Sequence, residues 1–146
     1  KALLGAAPAT APPPKDVAAW LNPGLDASQR LAAARALAEP SLLLVHGPPG
    51  TGKTTTLVEV VCQAALAGQR VLCCGASNAA VDNLLERVAA VFADKKSWKA
   101  RGRKRPPALL RLGHPARLSP NVLAHSVEAR LATADGADVV DDARRE

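Results

Sequence analysis

The sequence has no methionine and begins at Lys1. A natural reading frame opens with methionine, so the chain reads as a piece of a longer protein. Its last residues, VVDDARRE, end without a finished element. No apolar run approaches the roughly 20 residues of a membrane-spanning helix, and nothing resembles a signal peptide, so a soluble protein is expected. No C-x-x-C spacing links Cys62, Cys73 and Cys74. Adjacent residues on a strand point to opposite faces, which excludes a routine disulfide between Cys73 and Cys74. Buried, reduced thiols in an intracellular protein, cytoplasmic and/or nuclear, are the expectation. His46, His114 and His125 lack partner spacing for a metal and read as structural. There is no internal repeat.

What is present begins with charge. The net charge is +6 and the pI about 9.7, a balance that favours acidic partners such as nucleic acid. The charge is concentrated in KKSWKARGRKR, which holds Lys95, Lys96, Lys99, Arg101, Arg103, Lys104 and Arg105. Outside that run the chain is close to neutral. With 146 residues the chain fits one domain with a real core.

Residues 1–15 are rich in alanine and proline and read as a disordered linker, with order expected from about Trp20. Asn22-Pro23-Gly24 is a turn, and Asp26 to Gln29 opens an alanine-rich helix that Glu39-Pro40 ends. Residues 41–46, SLLLVH, form a short apolar run between proline and glycine, the pattern of a buried parallel strand. A helix over residues 53–66, ended by Gly68, is followed by a second buried strand at residues 71–74. Asn78 starts a further helix with Val81, Leu84, Leu85 and Val88 at helical spacing. Residues 109–112 read as a third strand, and helix returns from about Asn121. The order predicts an α/β fold, a parallel sheet flanked by helices and incomplete at its C-terminal end.

Gly47-Pro48-Pro49-Gly50-Thr51-Gly52-Lys53-Thr54 matches G-x-x-x-x-G-K-[ST] in full, between a predicted strand and a predicted helix. Glycines let the backbone wrap phosphate without Cβ clashes. Successive N–H groups and the positive helix end then face the anion. Lys53 places a cation near the terminal phosphates, and the Thr54 hydroxyl is suited to ligate Mg²⁺. Thr55 completes the expected nucleotide-binding set.

Two flanking segments narrow the class. LNPGLDASQ places Gln29 about one helix and one strand before the P-loop. Ala76-Ser77-Asn78-Ala79-Ala80-Val81-Asp82-Asn83-Leu84 follows the second predicted strand. Together with LLRLGHPARL (residues 109–118) and His125-Ser126, they resemble superfamily 1 helicases of the nonsense-decay group, especially its immunoglobulin mu-binding branch. The likeness covers roughly residues 20–146 apart from the basic run. It implies a RecA-like P-loop NTPase, here the ATP-binding segment of an ATP-dependent helicase acting 5′ to 3′ on single-stranded DNA or RNA. By resemblance Gln29 reads the adenine edge, Gly50, Gly52, Lys53 and Thr54 hold phosphates and Mg²⁺, and Ser77 and Asn78 touch the strand backbone. A monomer is expected.

Each assignment has a structural alternative. Asp26-x-x-Gln29 is also a capping box, and Ser77-Asn78 also a helix N-cap. The segment reads Gly75-Ala76-Ser77 where the family usually has a proline, which loosens the inferred strand contact. Residues 93–107 are an insertion relative to the family. They read as a phosphate grip with Trp98 stacking on a base, as a solvated loop, or as a nuclear-localisation patch. The acidic strand motif that hydrolysis needs is missing. Asp138-Val139-Val140-Asp141-Asp142 imitates it, but too few apolar residues precede the acids. By resemblance residues 121–146 begin a helical stalk, residues 16–120 are the first part of the RecA-like domain, and this piece alone is hydrolysis-deficient. A protein-remodelling P-loop ATPase and a non-catalytic nucleic-acid-binding fragment are the competing functions.

Overall fold

A computed structural model describes residues 13–38 and 42–133 of the chain. The chain divides into two compact units, Lys1–Val71 and Leu72–Glu146. Glu39-Pro40, most of the Ala/Pro-rich lead-in and the Asp138–Asp142 acids lie outside the described residues.

In the first unit, α1 spans Ala27–Leu37 and packs against α2, Lys53–Leu66. Asp26 starts α1 by accepting from Gln29 N at 2.9 Å, while Gln29 Oε1 accepts from Asp26 N at 3.0 Å. This capping box satisfies two of the donors a helix start leaves orphaned. The core of the unit is Leu25, Ala33, Ala34, Leu37, Val58, Val61, Cys62 and Leu66, with Cys62 fully buried. Small alanines on α1 let the helices approach closely. Gly68, at φ 88°, ends α2: Gln69 N donates to Ala64 O and Gly68 N to Ala65 O, both at 3.0 Å.

One charged group sits inside that apolar surface. Glu59 is 2% exposed and accepts from Leu21 N at 2.9 Å, Asn22 N at 3.0 Å and Gln63 Nε2 at 2.8 Å. Gln63 Nε2 also donates to Ala19 O at 2.8 Å. Buried carboxylates persist where donors replace their water, and here the donors fasten residues 19–22 onto α2.

In the second unit, α3 spans Asn78–Ala93 and α4 spans Lys95–Lys99. Turns of 3-10 helix follow at Pro115–Arg117 and Pro120–His125, then α5, Val127–Thr133. Leu84, Val88, Phe92, Trp98, Leu118 and Val122 form the apolar core. The helix expected from Asn121 is thus split, with a proline-led 3-10 turn before Ser126 and α-helix after it.

The expected parallel sheet is not present among the described residues. Residues 42–46, 71–74 and 109–112 run without a ladder, and Arg111 and Ser126 meet in an isolated parallel bridge. Leu44 is 83% and Leu72 80% exposed, so neither segment has the cover a buried strand needs. Without that cover Cys74, expected to be buried, is exposed and Cys73 is half-buried, whereas Cys62 is buried as expected. An apolar run announces a strand, but the hydrogen bonds that make one belong to its neighbours. Among the described residues no helix is long and apolar enough to cross a membrane.

Candidate functional site

The predicted phosphate loop joins residues 42–46 to α2 within the first unit. Gly50 and Gly52 take φ of 82° and 75°, the left-handed region that a Cβ disfavours. Gly47 has a third reason to be glycine, since an added Cβ would stand 2.9 Å from Thr51 Oγ1. The loop closes on itself through its side chains. Lys53 Nζ donates to Gly47 O at 2.5 Å and Pro48 O at 2.7 Å, and Thr51 Oγ1 donates to Pro48 O at 2.9 Å.

Gly52 is the N-cap of α2 and its carbonyl accepts from Thr56 N at 3.0 Å. The amides of Lys53, Thr54 and Thr55 therefore precede the first intrahelical bond of a 14-residue helix, where the dipole favours an anion. Thr54 is exposed on this first turn, as are Lys53, Gly50 and Thr51. Left-handed glycines, first-turn amides, an exposed ammonium and a hydroxyl make a donor set that fits a polyphosphate with Mg²⁺.

Gln29 reaches this loop from α1. Its Nε2 donates to Thr51 O at 3.2 Å while its Oε1 completes the Asp26 capping box. The structural alternative is thus present, and the same side chain also touches the P-loop. A primary amide carries two N–H donors and two acceptor lone pairs, so one of each remains for a base edge.

Ser77 and Asn78 lie in the second unit. Ser77 caps α3, its Oγ accepting from Ala80 N at 3.2 Å. Asn78 Oδ1 accepts from Arg111 Nη2 at 3.1 Å, so any contact with an anion would fall to its Nδ2 donors. Both residues are exposed.

Sequence reasoning missed the network behind them. Arg111 and Asp82 are 6% and 3% exposed and joined Nε to Oδ1 at 2.6 Å. Arg111 Nη1 donates to Leu112 O, and Asp82 Oδ2 accepts from Ser119 N at 2.8 Å. Glu86 Oε1 then accepts from Ser119 Oγ at 3.0 Å and Asn121 Nδ2 at 3.3 Å. Burial alone would raise the Asp82 carboxyl, but the Arg111 hydrogen bond, the Ser119 amide and the guanidinium charge hold it below its ordinary value. The available signal was an arginine inside the apolar run LLRL and an aspartate beside Val81 and Leu84.

Trp98 does not present a face for base stacking. It is 6% exposed, and its Nε1 donates to Phe92 O at 3.1 Å. Among the described residues no group of His, Cys, Asp and Glu forms a metal cluster.

Residues 24–145 match the AAA domain family. The chain is 48% identical over 139 residues to DNA-binding protein SMUBP-2 of Rattus norvegicus, covering 95% of this chain and 12% of that protein. It is 43% identical over 121 residues to the DNA polymerase alpha-associated DNA helicase A of Schizosaccharomyces pombe, covering 83% of this chain and 16% of that protein. A regulator of nonsense transcripts 1 homolog of Drosophila melanogaster is 47% identical over 78 residues, 53% of this chain and 6% of that protein. The likeness to the nonsense-decay and mu-binding helicases read from the motifs is borne out by these matches. The chain spans about an eighth of the rat protein's length.

Proposed function

Starting from the fact that the chain belongs to the AAA domain family, a P-loop NTPase domain, we propose that it supplies the ATP-binding front part of the motor of an ATP-dependent nucleic-acid helicase. The P-loop carries the reading: left-handed Gly50 and Gly52, first-turn amides of α2, Lys53 and Thr54 on one exposed loop. The names of the relatives support it, one a DNA helicase and another a DNA-binding protein.

In this role the loop amides and Lys53 would hold the β- and γ-phosphates of ATP and the Thr54 hydroxyl would ligate Mg²⁺, which when bound would supply charge neutralisation for phosphoryl transfer. Gln29 reads adenine with its remaining donor and acceptor while tying α1 to Thr51. Ser77 and Asn78 touch the backbone of a single strand of DNA or RNA, with movement 5′ to 3′. The sheet belongs to the whole protein: residues 42–46, 71–74 and 109–112 pair there with strands this chain does not contain. Their exposed leucines support that placement. The acidic group that positions water and the second motor domain are likewise assigned outside this chain, residues 121–146 to a helical stalk, and the protein to the cytoplasm or nucleus as a monomer.

The test is ATP turnover by the full-length protein with and without single-stranded DNA and RNA, beside Lys53→Ala. Strong stimulation that the variant abolishes supports the helicase. Turnover indifferent to both strands would replace it with a protein-remodelling ATPase, and no turnover with a binding module. A charge-assisted hydrogen bond is worth roughly 1.5–3 kcal/mol, so Lys53→Ala weakens ATP binding about 10- to 100-fold.

A further inference from the structure

The basic run is neither a loose tail nor an aromatic stacking platform. Asp94 caps α4 by accepting from Lys96 N at 2.9 Å, and Trp98 anchors the helix by burying its ring and donating to Phe92 O. The chain then folds back: Gly102, at φ 73°, sits in a turn in which Arg101 N donates to Trp98 O at 3.1 Å and Arg103 N donates to the same carbonyl at 3.3 Å. The outcome is a short spur at the end of α3 whose one large apolar side chain faces inward.

Its outward surface is cationic. Lys95, Lys96, Lys99, Lys104 and Arg105 are exposed. No acidic residue occurs from Lys95 to Val127, and Asp94, the nearest in sequence, is taken by the cap. A cluster of one sign with no acid interleaved in its own segment is poorly matched to self-pairing and well matched to a polyanion.

We propose that this Trp98-anchored spur is a second contact for single-stranded nucleic acid, gripping the phosphate backbone without reading bases. The proposal rests on the reading above that the protein works on single strands. With Trp98 turned inward, no ring in the run is left to stack on a base, so the grip is electrostatic and indifferent to sequence. The exposed lysines act as point charges on flexible stems, suited to a backbone that slides past rather than to one fixed phosphate.

The test uses the full-length protein and fluorescein-labelled single strands, oligo-dT, oligo-dA and a mixed RNA, titrated by fluorescence anisotropy across a salt series. The variant carries Lys95→Gln, Lys96→Gln, Lys99→Gln, Lys104→Gln and Arg105→Gln together. A companion, Lys95→Arg with Lys96→Arg and Lys99→Arg, keeps the charge. Strand affinity of the glutamine variant should fall on all three probes alike. Its log–log salt slope should become shallower by roughly 0.7 for each side chain that had met a phosphate. The arginine variant should keep the wild-type slope. Wild-type slope and affinity in the glutamine variant, with Ser77→Ala/Asn78→Ala weakening binding, would overturn the spur contact and leave the helicase reading standing. No strand binding by the wild type would overturn both. Loss of binding to one probe alone would overturn the sequence-indifferent grip.

Discussion

Arg111 and Asp82 form a buried ion pair, Nε to Oδ1 at 2.6 Å, that ties the extended segment at residues 109–112 to the second turn of α3. The same guanidinium holds Asn78 Oδ1 at 3.1 Å, so the residue assigned to the strand backbone is positioned from behind by the pair. Leaving one member of a buried pair alone is costly because its charge stays desolvated.

Arg111→Ala should therefore destabilise the protein by about 3–5 kcal/mol. Replacing both partners with apolar residues, Arg111→Leu with Asp82→Leu, should cost much less. Urea denaturation of the single and double variants checks this. Equal losses in both would mean the pair is not the source of the stability.

The pair also sets a pH dependence. Asp82 lies below its ordinary value of 3.8 in the folded protein, so its contribution is complete above pH 3.8 and disappears as the pH falls through the lower folded value. Asp82→Asn should flatten the acid limb of a thermal-unfolding profile. His125 adds a second slope. Burial and then the Arg130 charge lower it from 6.5, so the unfolded chain takes the proton first and stability declines as the pH drops below 6.5. His125→Gln should remove that slope and leave the acid limb in place.

Gln29 sits in the capping box and against the P-loop, and its roles separate in one variant. Gln29→Ala should lower stability by about 0.5–2 kcal/mol through the weakened helix start. It should also erase any preference for ATP over GTP, read by competition binding. A stability loss with nucleotide preference unchanged would reduce Gln29 to a cap.

Gly52 is constrained by conformation and by that same neighbour. Its φ of 75° costs an L side chain roughly 1–2 kcal/mol. An added methyl also runs into the Gln29 amide. Gly52→Ala should weaken ATP binding even with Lys53 intact, whereas Gly68→Ala, with open space around it, should leave ATP affinity unchanged. Calorimetric titration with ATP distinguishes them.

Local signals were legible because their chemistry is local. The P-loop, the helix over Lys53–Leu66 and the cap at Asp26 follow from residues within a few positions of one another. What escaped was set by partners far along the chain. Glu59 meets amides 37 and 38 residues away, and Asp82 meets an arginine 29 residues away. Stacking by Trp98 stood open beside a solvated loop and a localisation patch, because a basic neighbourhood says nothing about which way a ring points. The expected strands form no ladder among the described residues for a related reason: LLLV names an apolar segment and leaves its ladder partners unnamed.

The most direct test is unwinding of a short tailed duplex by the full-length protein, with ATP, with a non-hydrolysable ATP analogue, and with ATP and the Lys53→Ala variant. ATP alone should open the duplex that carries a 5′ single-stranded tail, and both controls should leave it closed. ATP hydrolysis that leaves every tailed duplex intact, whatever the strand or its polarity, would contradict the helicase reading.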